Sequence, residues 1–274
     1  MIWDWRSIKA IMRKDLSQVL QNRMVWLPMI VVPIVILVVL PLVMILLPIL
    51  LGAEAIDMDE LAPMIDAIPE SMRQDIAGLD LEQLWIVFSA NYMFSPMFLI
   101  VPLMVSSIIG SDSFVGEKER RTLEGLLYTP ISDGTLFVAK LLGALAPALV
   151  VNVASFLLYG IVVNAAGYSV VGRIFFPTPS WWALVFWLGP AIATAGLGAV
   201  VLVSSKTKTL VQAQQISGML VLPVVFLMIA QVSGLFFLSP AVVFLVGIVV
   251  WLAGGWFIWI GAKTFSRDAL ISRV

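Results

Sequence analysis

The sequence predicts an all-α integral membrane protein with six transmembrane helices, and three observations carry that prediction. Of 274 residues, 61% are hydrophobic and only 12% charged, and mean hydropathy is +1.05. A soluble domain is about half apolar and a quarter charged, so lipid is the main solvent here. Six separate stretches reach the roughly 20 apolar residues needed to cross about 30 Å of hydrocarbon. Lysine and arginine, finally, gather on alternate connections between those stretches.

The elements follow in order. Residues 1–23 are too charged for a signal peptide. Trp5, Ile8, Met12, Leu16 and Val19 recur at spacings of three and four, while Arg6, Lys9, Arg13 and Lys14 take other faces. This is an amphipathic helix lying in the membrane interface, its basic groups toward anionic headgroups. It serves as an interfacial anchor, or as an anchor whose polar face also meets a cytoplasmic partner; the residues leave both open. The spans lie at 24–51, 85–109, 136–165, 182–204, 216–238 and 240–262. Pro28, Pro33, Pro41 and Pro48 in the first predict tilt or kinking. Ser239-Pro240 alone separates the last two, which implies a tight hairpin.

Residues 52–84 form an acidic outer loop, with Glu54, Asp57, Asp59, Glu60, Asp66, Glu70, Asp75, Asp80 and Glu82 against Arg73 alone. Leu61, Ile65, Ile68, Met72, Ile76 and Leu79 repeat at helical spacing, so short amphipathic helices broken by Pro63 and Pro69 are expected there. Of the 16 lysines and arginines, the outer segments hold only Arg73 and Arg173. The positive-inside rule therefore puts both termini in the cytoplasm.

Composition also excludes functions. The chain has no cysteine and no histidine. That removes disulfides, thiol catalysis, histidine triads and the usual zinc, haem and iron–sulfur ligand sets. No catalytic residue and no metal ligand is assigned, and a net charge of −1 makes nucleic acid an improbable partner. No Gly-x-x-x-x-Gly-Lys-Ser/Thr loop is present, so the chain does not bind ATP by that route. Acidic residues are absent from the predicted spans, which disfavours an intramembrane enzyme or an ion-coupled carrier. Lys140 lies at the inner end of the third span, and the mid-membrane polar groups are neutral: Asn91, Tyr92, Asn152, Thr194 and Gln231, each either a helix–helix hydrogen bond or a contact on a translocation path.

The build is that of a transporter whose energy must come from elsewhere, and the largest charged inner segment, 112–135, is where to look. Gly116–Tyr128 fits a helix with Glu117/Arg121 and Arg120/Glu124 four apart, beside a patch of Leu123, Leu126 and Leu127. Pro130 ends it. An apolar patch ringed by charge suits a partner's groove, although a plain interfacial turn with positive-inside charges fits as well.

These residues resemble a family signature. Phe114-x-x-Glu117-Lys-Glu119-Arg-Arg-Thr122-Leu123-Glu124-x-Leu126-Leu127-x-x-Pro130-Ile131-Ser132, followed by Lys140-Leu-Leu-Gly143, is similar to the signature of ABC-2-type transporter permeases. Ile8-x-x-Ile-x-x-Lys14-Asp15-Leu16 near the start and Ser204-Ser-Lys-Thr-Lys-Thr-Leu-Val-Gln-Ala213 before the fifth span agree. The resemblance covers essentially the whole chain as one domain, 1–274. It implies that Glu117, Arg120, Arg121, Thr122, Leu123, Glu124, Leu126, Leu127 and Pro130 form a short cytoplasmic coupling helix in a cleft of a separate ATP-binding subunit. Trp5, Arg6, Lys9, Arg13 and Lys14 would belong to the connecting helix beside it. It further implies two ATP-binding subunits carrying ATP and Mg, a second permease chain (homodimer or heterodimer), surrounding membrane lipid, a place in the cell membrane, and export of an amphiphilic or hydrophobic substrate. By itself the chain would be no enzyme. The other class of function consistent with these residues is a membrane scaffold that docks a cytoplasmic partner without transport.

Overall fold

Asp4 starts the first helix. Its carboxylate accepts the Arg6 backbone N–H at 3.0 Å and the Ser7 hydroxyl at 2.5 Å, capping α1 (Trp5–Gln21). The computed structural model describes residues 4–52, 65–73, 75–120, 131–204, 207 and 209–264. The helices that follow and lie wholly within the described residues are α2 (Val25–Leu51), α3 (Glu70–Arg73), α4 (Leu81–Glu119), α5 (Asp133–Val171), α6 (Pro179–Ser204), α7 (Leu210–Val232) and α8 (Pro240–Thr264). Among the described residues there is no strand. All but α1 and α3 are long and apolar enough to span a membrane, six in total.

The central helices are the ones with the least lipid contact. In its most apolar window α4 is 72% buried within the protein and α6 67%, against 22% for α2 and 17% each for α7 and α8. A helix that is apolar all round but mostly exposed to its surroundings requires an apolar solvent, so α2, α7 and α8 form the lipid-facing wall. Prolines do not break α2. It stays helical through Pro28, Pro33, Pro41 and Pro48, with the five-residue π segment Val35–Val39 between the middle two.

Several expected boundaries shift for identifiable reasons. The second span does not stop at 109. Its helix continues through a π segment, Asp112–Gly116, to Glu119, so the first residues of the expected coupling helix are the end of α4. Acidic side chains are thereby buried in a span helix, contrary to expectation. α5 runs 39 residues, about 58 Å at 1.5 Å per residue, and so projects well beyond the hydrocarbon. Ser132 caps its start by accepting the Thr135 N–H, and Gly172 at φ 70° closes its end. The fifth span ends at Val232 rather than 238. Gly234 turns left-handed at φ 72° and the Leu235 N–H returns to the Ala230 carbonyl, stopping the helix.

The α1 faces also differ from the sequence expectation. Ile8, Ile11 and Val19 are buried together with Asp15, Ile8 and Ile11 packing on Leu136 and Ala139 of α5. Trp5 is 69% and Leu16 39% exposed. The apolar stripe is thus split, one edge on protein and one edge outward. In the acidic segment the described residues are helical at 65–66 and again in α3, on either side of Pro69, and Ile68, Met72 and Ile76 turn into the core. The Tyr92 hydroxyl donates to Asp75 at 2.8 Å and pins this segment to α4.

α6 and α8 cross through glycine. A Cβ on Gly198 would lie 3.0 Å from the Gly254 carbonyl, and one on Gly254 would lie 2.9 Å from the Ala195 backbone nitrogen. In lipid such close backbone approach supplies the packing that a hydrophobic effect between helices cannot. At the adjacent Gly255 a Cβ would meet nothing. Gly254→Ala should therefore cost about 2 kcal/mol through overpacking and lower the melting temperature of the purified chain. Gly255→Ala should hold or raise it, since Ala favours helix over Gly by about 1 kcal/mol. Thermal unfolding of the two variants in one detergent distinguishes them.

Candidate functional site

Lys140 is the largest charged side chain that the fold buries completely, with 0% exposure. A buried ammonium needs partners, and three are present. It ion-pairs with Glu117 and donates to the Ser113 carbonyl at 2.6 Å and to the Ser113 hydroxyl at 3.3 Å. Glu117, 1% exposed, is held from its other side by Lys14 of α1. One carboxylate thus joins α1, the end of α4 and the start of α5.

The neighbours complete the cluster. Lys14 lies 3.2 Å from Asp15, whose other oxygen accepts the Ser113 hydroxyl at 2.8 Å. Arg120 pairs with Asp112 at 3.0 Å, and Gln18 reaches the same carboxylate at 3.4 Å. A Cβ on Gly116 would sit 2.9 Å from both the Arg120 guanidinium and Asp112, so glycine leaves the space in which that pair forms. Lys14, Arg120 and Lys140 face Asp15, Asp112 and Glu117, three charges of each sign. Burial depresses the Lys14 pKa, while Asp15 opposes that shift. Between Glu117 and Arg120, Glu119 accepts the Leu210 backbone N–H at 2.6 Å. A carboxylate at a helix N-terminus suits the helix dipole, so α7 begins on this same end of α4.

The sequence placed Glu117 on a partner-facing surface; the structure places it inside the chain, bound to its own lysines. Arg120 is at the surface but turned back to Asp112. Arg121, Thr122, Leu123, Glu124, Leu126, Leu127 and Pro130 lie outside the described residues. On α1, Trp5, Arg6, Lys9 and Arg13 are exposed and Lys14 points inward. Gln18, Asp112 and Ser113 were missed, and Asp15, Glu119 and Lys140 stood in the quoted signature without a role in a site. The signal available for Asp15 was an acid at a position one turn from the buried Ile11 and Val19.

The neutral polar residues serve a different region. α4 is interrupted near Ser89–Met93, another π segment, and again by Pro96. There the Phe94 N–H bonds the Ser89 carbonyl, five residues back. The Ala90 carbonyl is taken by the Tyr159 hydroxyl of α5 at 2.6 Å and the Asn91 carbonyl by the Trp181 indole of α6 at 2.9 Å. Pro96 has no N–H for the Tyr92 carbonyl, which accepts instead from Gln231 of α7. Asn91 donates to the Val87 carbonyl at 3.0 Å, Asn152 joins α5 to the Val185 carbonyl at 2.8 Å, and Thr194 bonds within its own helix to Pro190. A separate cavity of about 220 Å³ between α2, α4 and α7 is lined by Gln214 and by the buried Ser107 and Ser217 hydroxyls, which have no partner among the described residues.

A family model described as "ABC-2 family transporter protein" matches residues 9–252, and the chain belongs to that family. No curated protein and no solved structure matches it significantly. It is a multi-pass membrane protein and the membrane component of a transporter.

Removing one partner of a buried pair strands the others, at a cost of about 3 kcal/mol or more. Glu117→Ala leaves the fully buried Lys140 without its bonded carboxylate, held only by the Ser113 carbonyl and hydroxyl. Lys14→Ala removes a group that is 40% exposed and leaves Glu117 with Lys140. Thermal melting of the purified variants should therefore show Glu117→Ala as the more destabilised by a clear margin.

Proposed function

From its membership of the ABC-2 family, we propose that this chain is the permease subunit of an ATP-driven exporter in the cell membrane, with both termini in the cytoplasm. A pair of separate ATP-binding subunits carries ATP and Mg, and two permease chains form the path. The 121–130 stretch meets the ATP-binding subunit, with Arg121, Leu123, Glu124, Leu126 and Leu127 as contacts, while Glu117 works one step behind. The observation that supports this division is the Lys14–Glu117–Lys140 cluster: it fastens α1, α4 and α5 together immediately beside that stretch. A push delivered to the loop would be shared among three helices because breaking the cluster costs more than moving it. Glu119 extends the same connection to α7. An amphiphilic substrate accords with apolar spans whose cavity offers only the neutral groups of Gln214, Ser107 and Ser217.

The test uses the tagged full-length chain purified from its own membranes. An ATP-hydrolysing subunit should co-purify. Arg121→Ala combined with Leu126→Asp should abolish co-purification. Glu117→Gln should retain the complex yet reduce substrate transport per ATP hydrolysed by about tenfold, roughly 1.4 kcal/mol of coupling. Absence of an ATP-binding subunit, or unchanged activity in both variants, would overturn this function.

A further inference from the structure

We propose that the groove between α1, α2 and α5 is a binding site for an anionic membrane phospholipid. The groove has a volume of about 720 Å³, within the range of about 300–1,000 Å³ typical of small-molecule sites. Its walls come from Leu16 and Leu20 of α1, Trp26 and Ile30 of α2, and Pro147 and Val150 of α5. Only two of its lining residues are polar: Lys9 and Arg13, both exposed.

The α1 register explains the arrangement. Lys9, Arg13, Leu16 and Leu20 follow at spacings of four, three and four, so they share one face, the outward edge of the split apolar stripe. Lys14, next to Arg13 in sequence, is paired with Asp15 and Glu117 and does not line the groove. Lys9 and Arg13 form no ion pair with any described residue. The site therefore combines an apolar trough, which includes the Trp26 indole, with two cations that have no ion-pair partner among the described residues.

That chemistry selects the occupant. An acyl chain fits the trough, and a phosphate diester fits between an ammonium and a guanidinium. A zwitterionic headgroup brings its own ammonium toward Lys9 and Arg13 and is disfavoured. A second copy of this chain seated symmetrically would bring the same two cations against themselves. The site is independent of ATP coupling, because it is assembled by this chain alone.

Native mass spectrometry of the full-length chain in detergent tests the proposal, with phosphatidylglycerol and phosphatidylethanolamine of identical acyl chains as probes. The wild type should bind phosphatidylglycerol about tenfold more tightly, since two basic groups beside the headgroup favour the anionic lipid. Lys9→Gln with Arg13→Gln should reduce that preference to below about twofold while keeping acyl-chain binding. Val150→Trp, which fills the trough from an exposed position, should weaken both lipids. Equal affinities in the wild type, a preference that survives the double variant, or no effect of Val150→Trp would overturn it. So would disulfide-linked dimers from Val150→Cys in native membranes, a clean readout in a chain without cysteine, because they would seat a second copy in the groove.

Discussion

Hydrocarbon offers no hydrogen bonds, so a span helix with interruptions must find donors for its backbone in other helices. That constraint organises this protein around α4. Its π segment at Ser89–Met93 and Pro96 displace carbonyls from their usual partners, and Tyr159, Trp181 and Gln231 bring donors from α5, α6 and α7. Trp85 reaches the other way and donates to the Met44 carbonyl of α2 at 2.9 Å. The most irregular helix is accordingly the most central one. Tyr159 and Trp181 are large, rigid side chains with one polar atom each, and they stack with ring centroids 5.1 Å apart, so burying them adds area as well as bonds.

The C-terminal end of α4 meets the same constraint with charge. Six ionisable groups come together there with no net charge, each pair compensating the desolvation of the next. Such a cluster contributes little to stability compared with apolar packing of equal volume. Its contribution is geometric, because Glu117 reaches both lysines only when α1 and α5 hold their places. Neutral hydrogen bonds thus join the helices in the apolar core, and ion pairs join them at the C-terminal end of α4.

Six spans, their order and the charged inner segment were legible in the sequence because length and hydropathy encode them directly. Asn91, Asn152 and Gln231 could be listed, but not paired, since their partners are backbone carbonyls that no side-chain pattern reports. The fate of Glu117 was hidden for a related reason. An acid among alternating charges reads as a solvated helix face, and only the continuation of α4 through Asp112–Gly116 carries it under α1. Likewise, the periodicity of α1 gives one apolar stripe, yet Ile8 and Ile11 face protein while Leu16 and Leu20 face outward. Periodicity identifies what avoids water; it does not say whether protein or lipid replaces it.

The interruption of α4 between Ser89 and Leu99 has a mechanical meaning. The Glu117 end is clamped to α1 and the start of α5 by ions, and the interruption itself is tied to the acidic segment through Tyr92 and Asp75. A helix in this form is two rods with a compliant joint between them, and the joint lies where the chain already lacks a regular ladder. In a permease working as proposed, torque applied at the inner rod would be partly absorbed at that joint before reaching the outer cap. The two membrane faces could then open at different moments, as a device that must never leak requires.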